Sequence, residues 1–205
     1  MAIENSGDLS LSNSGENRGV MANVVYGNIY NIQNERKKIP SLIPRIIEKL
    51  AELTNLSDEE IDRIYKVNEE DLRVYNIPEK ITHNQLIKYR YTVEEYSQYG
   101  RICEEAFNIL DNNNIGIKGK ILKDISLLYD ECRGDLLLRY RDEDLNLMDI
   151  IRKHADEIIE YVKEKLKERI IMDDNTTILI EDLNIGLIRI ICYAFVECKI
   201  LEKPR

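Results

Sequence analysis

The strongest structural signal in this chain of 205 residues is a long apolar stripe between residues 145 and 170. Apolar side chains recur there at steps of three and four residues, which is the spacing of one helix face. Charged residues at the intervening positions pair at helical spacing, as Lys153 does with Glu157. The pattern predicts an amphipathic helix that must pack against other helices. The stripe consists of Met148, Ile151, Ala155, Ile158, Val162, Leu166 and Ile170.

A second helix is predicted between residues 181 and 200, and it is apolar nearly all round. A helix without a polar side lies in the middle of a bundle or in an interface. We therefore expect a buried C-terminal helix that organises the core. Its apolar residues are Leu183, Ile185, Leu187, Ile188, Ile190, Ile191, Tyr193, Ala194, Phe195 and Val196.

The middle of the chain also has the pattern of helices. Pro40 and Pro44 suit a helix start, and capping boxes at residues 57–60 and 92–95 predict two further starts. The second of these helices should run to Leu110, and another should follow from about Lys118 with a break near Gly134. Residues 67–84 stay unassigned because Pro78 prevents a continuous helix. The fold class predicted is all-α, an irregular bundle of about five or six helices.

The N-terminal region differs in composition from the rest. Residues 1–19 are rich in Ser, Asn and Gly, which predicts a flexible segment. Residues 20–34 are strand-like and contain Gly27-Asn28, which suits either a hairpin turn or a kink in one strand. This β element must dock on the helices or pair with another chain, and pairing would make it a site of homo-oligomerisation. Its interaction residues would be Val20, Ala22, Val24, Tyr26, Ile29, Tyr30 and Ile32.

Two further regions complete the predicted organisation: a short helical region at residues 35–77 and a C-terminal helical domain at residues 78–205. No basic segment followed by an apolar run opens the chain, so we expect no signal peptide. Residues 185–201 are too often interrupted by charge to predict a membrane span. The four cysteines lack CxxC spacing and have apolar neighbours. We therefore expect buried, reduced thiols and a cytoplasmic protein.

The sequence contains no recognisable catalytic or metal-binding pattern. The two histidines, His83 and His154, have no second ligand at metal spacing. The run that starts at Asp111 briefly resembles a calcium loop, but Leu122 stands where a bidentate Glu is needed. No phosphate-binding or nucleophile motif occurs. The sequence thus predicts a non-enzymatic protein with no catalytic residue, no metal and no cofactor.

One local patch opposes the net charge of −9 that results from 29 basic and 38 acidic residues. It consists of Lys88, Tyr89, Arg90 and Tyr91. Basic residues next to aromatic ones could stack bases and hold phosphates, pack flat over the body, or contact another protein. An acidic chain repels phosphate and anionic lipid, so nucleic acid and membrane are the less expected partners.

The second half of the chain resembles the C-terminal helical domains of bacterial ABC-three-component conflict systems. The resemblance covers about residues 78–205 and is most specific at residues 194–204, which match the pattern Ala-Phe-x-x-Cys-Lys-Ile-x-Glu-x-Pro. Upstream, it rests on Lys80-Ile81-Thr82-His83-Asn84, on Tyr96 and Tyr99-Gly100, and on the helix that ends in Tyr129.

The resemblance implies an adaptor role in antiviral defence by a bacterium or prophage. In such systems an SMC-like ABC ATPase works with an effector, here expected to be a nuclease, which this domain would tether. Residues 35–77 are too short and too poor in motifs for the effector itself. The chain would then be a stand-alone adaptor or an inhibitor that mimics one, and a small nucleic-acid-binding regulator is the alternative outside this family.

Overall fold

Every regular element of the computed structural model is a helix in the part it describes, residues 40–56, 58–66, 77–113, 115–171 and 178–204. The predicted all-α class is confirmed for these residues, which contain eight helices instead of five or six. The flexible segment 1–19 and the β element 20–34 lie outside them. The helices are α1 (Ile43–Thr54), α2 (Asp58–Tyr65), α3 (Ile77–Asn84), α4 (Arg90–Ser97), α5 (Gly100–Asn113), α6 (Ile117–Arg139), α7 (Leu147–Ile171) and α8 (Ile180–Val196).

Part of the difference in number comes from residues 77–113. Helix α3 occupies a segment that the sequence left unassigned, and Pro78 lies in its first turn, where no backbone N–H is needed. The helix predicted from residue 92 to Leu110 is instead two helices that meet at Gln98 and Tyr99. The capping box predicted at Thr92 is wrong, because the Val93 N–H already closes a helical bond to the Tyr89 carbonyl at 2.8 Å.

The break predicted at Gly134 is also wrong, since α6 continues through it to Arg139. A glycine inside a helix costs only about 1 kcal/mol relative to alanine. Buried side chains on both sides of Gly134, Cys132 and Leu136 among them, keep the helix on the core. Packing therefore decides the outcome against local propensity.

Helix α8 is the centre of the bundle, as predicted. It packs against α1, α4, α5 and α7. The six consecutive residues from Ile190 to Phe195 are all buried, so this part of the helix has no solvent side. Its end at Val196 comes before the predicted residue 200. None of the described helices is both long enough and apolar enough to cross a bilayer.

Helices α6 and α7 pack side by side after the turn at residues 140–146. The stripe predicted for α7 faces the core, with Ile151, Ile158, Val162 and Leu166 fully inaccessible. Met148, at the start of the stripe, is only partly buried. The sequence therefore predicted correctly which face of α7 packs against the core.

The contact between α8 and α1 is close at Gly186. A Cβ at this position would lie 3.0 Å from Ile47 Cγ2 and 3.1 Å from Ile47 Cγ1. Ile47 is fully buried, and its β-branched side chain has little freedom to move aside. Glycine is thus required here by the distance between the two helices.

We expect Gly186→Ala to destabilise the fold by about 1–3 kcal/mol because the added methyl overpacks a rigid contact. The matched control is Gly134→Ala, where a Cβ would meet no atom within 4 Å. That change should stabilise α6 by about 0.5–1 kcal/mol. Urea denaturation of both variants measures the difference. If Gly186→Ala and Gly134→Ala had equal free energies of unfolding, α1 and α8 would have to move apart easily to make room for the methyl group.

Candidate protein-interaction site

Lys80 on α3 is a buried cation, with only 3% of its surface exposed. Its ammonium group donates hydrogen bonds to the carbonyl oxygens of Phe195 at 2.6 Å and Ile200 at 2.9 Å, and lies 4.3 Å from the centre of the Phe195 ring. Burial lowers the pKa of Lys80 to about 8, against the opposing effect of the neighbouring Cys198 and Glu202. The side chain therefore joins α3 to the end of α8 and to the residues that follow it.

Asn84 makes a second connection between the same two parts of the chain. Its Nδ2 donates to the carbonyl of Glu202 at 2.8 Å and to that of Lys80 at 2.9 Å. Its Oδ1 accepts a bond from the Glu202 N–H at 3.0 Å. Asn84 is completely buried, so these bonds replace water for the backbone of Glu202.

The carboxylate of Glu202 binds to α6. Its Oε1 accepts hydrogen bonds from the Tyr129 hydroxyl at 2.6 Å and from Arg133 Nη1 at 3.1 Å. Burial and this carboxylate together raise the pKa of Tyr129. Residues 198–204, called here the 198–204 segment, are thus held between α3 and α6.

Both helices that meet at this network end in the same way. Gln85 after α3 and Cys198 after α8 adopt the left-handed conformation, each with φ of 54°. The N–H of the next residue then bonds back five positions, from Leu86 to Ile81 and from Lys199 to Ala194. This is the Schellman arrangement, which reverses the chain and satisfies carbonyls at a helix end.

The two sequence patterns that carry the family resemblance therefore meet in space. Lys80 and Asn84 bind directly to the backbone of residues 195–202. Sequence reasoning identified both patterns but gave no sign that they bind each other. In this chain, the side chains of Lys80 and Asn84 connect α3 to the end of α8 and to the 198–204 segment.

The patch at Lys88–Tyr91 lies in a tight turn that is fixed to α7. Residues 85–91, called here the 85–91 segment, connect α3 to the start of α4. The backbone N–H groups of Ile87 and Tyr89 donate to the two carboxylate oxygens of Asp156, each at 3.0 Å. One carboxylate thereby fixes two backbone positions of the turn.

Glu160, one turn further along α7, fixes the side chains of the same segment. It accepts hydrogen bonds from the Tyr89 hydroxyl and from Lys88 Nζ, the latter at 2.6 Å. Lys163 lies 2.5 Å from Glu160 and 3.0 Å from the Tyr89 hydroxyl. Burial raises the pKa of Glu160, but the bonds from Lys163, Lys88 and Tyr89 outweigh it and lower that pKa to about 2.

The four patch residues thus differ in what they contact. Tyr89 is buried and Lys88 is ion-paired, so both serve to hold the turn. Arg90 forms a helical ion pair with Glu94 at 3.2 Å. Tyr91 is 79% exposed, and so is its neighbour Ile87 at 78%. Sequence reasoning missed Ile87, although it is an apolar residue in a polar run, and also missed Asp156.

The remaining predictions concern the β-element residues, the cysteines and the histidines. The β-element residues from Val20 to Ile32 lie outside the described part of the chain. Three cysteines are buried as predicted, but Cys198 is exposed because it stands in the left-handed turn where α8 has already ended. His154 contacts Glu157 and Tyr140 at 2.6 and 2.8 Å. Within the described ranges, no group of three or more His, Cys, Asp or Glu side chains is placed to hold a metal ion.

No protein-family model, no curated protein and no solved structure matches this chain.

We expect Glu160→Gln to reduce the acid sensitivity of the fold. The folded-state pKa of Glu160 is depressed, so its contribution to stability is present above pH 4.5 and disappears as the pH falls towards 2. Urea denaturation between these pH values should show a smaller decline for the variant than for the wild type. The control is Glu164→Gln, one turn away on the same helix. An equal decline in the wild type and in Glu160→Gln would contradict this role.

We expect Asn84→Ala to destabilise the fold by about 1–3 kcal/mol, because the buried N–H and C=O of Glu202 lose their partners. Trypsin should then cut after Lys199 faster than in the wild type, since the 198–204 segment is released more often. Thr82→Ala, on the exposed side of the same helix, is the control. Unchanged proteolysis in Asn84→Ala would mean that Lys80 and the bonds of Glu202 to α6 hold the segment without Asn84.

Proposed function

We propose that this chain is a non-enzymatic adaptor that works by protein–protein contact, and that Ile87 and Tyr91 form part of its contact surface. The observation that carries the proposal is the contrast within the 85–91 segment. Asp156 fixes its backbone to α7 and Glu160 fixes the side chains of Lys88 and Tyr89, whereas Ile87 and Tyr91 are largely exposed.

A fixed turn with exposed apolar ends suits a protein contact for an energetic reason. Binding costs free energy when a loop must be ordered, and here the folded chain has already ordered it. Tyrosine is enriched among the residues that contribute most to binding. Ile87 and Tyr91 would lose little conformational freedom and would remove apolar surface from water.

The charges of the segment favour a protein partner over a nucleic acid. Lys88 and Arg90, the two cations, are each paired with a glutamate of the chain. Little positive charge is therefore left to attract phosphates, and the net charge of −9 adds a general repulsion. A regulator that binds nucleic acid is consequently the second candidate, supported only by the exposed ring of Tyr91.

As part of the same proposal, and following the family resemblance, we propose that this adaptor works in a bacterial or prophage anti-phage system. The partner would be an SMC-like ABC ATPase or an effector nuclease in the cytoplasm, and the chain would self-associate through residues 20–32. The bonds of Lys80 and Asn84 to the 198–204 segment support the proposal, because the residues behind the resemblance act as one unit. An inhibitor that mimics the adaptor would present the same surface.

The test is affinity purification of the full chain from its native host, followed by mass spectrometry and light scattering of the eluate. We expect the double variant Ile87→Asp with Tyr91→Ala to lose about nine tenths or more of a partner protein that the wild type retains. Ile115→Asp is the matched control, because Ile115 is 91% exposed and lies in another loop.

All variants should keep the wild-type melting temperature, since the changed side chains are exposed. Equal recovery of the partner with the double variant would exclude this surface. An eluate that contains only nucleic acid, lost at high salt, would favour the regulator instead. Light scattering reports whether the 24.0 kDa chain self-associates.

A further inference from the structure

We propose that the groove between α6 and α7 is a second docking surface, and that its occupant is a basic amphipathic helix of a partner protein. The groove encloses about 260 Å³. Its floor includes the buried side chains of Cys132 and Leu136 from α6. Its lining is completed by Asp135, Arg139, Glu157, Glu160, Tyr161 and Glu164.

The walls of this groove carry an excess of negative charge. Arg139 is the one cation among its lining residues, and Glu157 lies 3.3 Å from it. Glu160 is paired with Lys88 and Lys163. Asp135 on α6 and Glu164 on α7 make no ion pair with any residue in the described part of the chain. One carboxylate on each wall is thus left to attract a cation.

Two large apolar side chains are exposed on the outer face of α6. Leu127 and Leu138 are 53% and 68% exposed. They are eleven residues apart, which is three turns, so they lie on the same side of the helix. The exposed Glu131 lies between them on the same side, so this surface combines two apolar side chains with a further negative charge.

Gly134 lies on the same side of α6, between these two leucines. The chain's own packing gives no reason for a glycine here, since a Cβ would meet no atom within 4 Å. Glycine weakens a helix relative to alanine. A position without a side chain, between two exposed leucines, allows the backbone of another molecule to approach α6 closely.

These features fit an amphipathic helix with basic residues. Lysine or arginine side chains complement Asp135 and Glu164, and apolar side chains cover Leu127 and Leu138. A helix lies readily along the groove between two packed helices, and helix-in-groove docking is a common mode of recognition. The acidic walls exclude a phosphate backbone. The surface does not involve Ile87 or Tyr91, so this inference goes beyond the proposed function.

The experiment measures binding of a fluorescent synthetic helix of about 18 residues, built from Leu, Ala and Lys, to the full chain by anisotropy. We expect binding that weakens with added salt, and no binding of the same peptide with Glu in place of Lys.

Asp135→Asn combined with Glu164→Gln should weaken binding about tenfold. Gly134→Ala should weaken it about fivefold while raising the midpoint of urea unfolding, which separates binding from folding.

The matched control is Glu48→Gln with Glu59→Gln, which removes the same charge from exposed positions on α1 and α2. It should bind the peptide like the wild type. The inference is overturned if the Lys peptide does not bind, if both double variants weaken it equally, or if the Glu peptide binds as well. None of these results affects the partner purification with the Ile87 and Tyr91 variants, so the two proposals fail separately.

Discussion

The fold depends on how the carbonyl groups at the end of α8 find hydrogen-bond donors away from water. The last turns of this helix are buried on every side, so its unpaired carbonyls cannot reach solvent as they do at most helix ends. Lys80 supplies the donors to Phe195 and Ile200, and its positive charge also suits the negative end of the helix dipole. A buried ammonium is costly by itself, which is why its pKa falls to about 8. Here it bonds two carbonyls, those of Phe195 and Ile200, while the backbone N–H groups of residues 197–199 satisfy the carbonyls of residues 193–195.

This arrangement also determines where the 85–91 segment lies. Lys80 and Asn84 are on α3, so the bonds that hold the 198–204 segment also hold α3 against the core. The left-handed Gln85 then ends α3 and directs the chain towards α7, where Asp156 receives two of its N–H groups. Exposure of Ile87 and Tyr91 is thus a consequence of interactions on both sides of the turn.

Sequence periodicity was sufficient to predict α7 and the buried α8, because a continuous apolar pattern reports directly on burial. It was insufficient where a polar residue has a distant partner. Glu160 and Lys163 have the spacing of an exposed helical ion pair, and only the tertiary structure brings Tyr89 to them. For the same reason, the sequence around Lys80 does not show that its side chain is buried against the end of α8. The low helix propensity of Gly134 predicted a helix end, because propensity does not include the tertiary packing of the buried residues on either side.

Helix α7 links the two proposed surfaces, because two neighbouring rows of its residues contribute to them. Asp156 and Glu160 face the 85–91 segment, whereas Glu157 and Glu164 line the groove with α6. Glu160 borders both, and its charge is already balanced by Lys88 and Lys163. The negative potential of the groove therefore comes chiefly from Asp135 and Glu164, so the two surfaces are structurally joined but electrostatically separate.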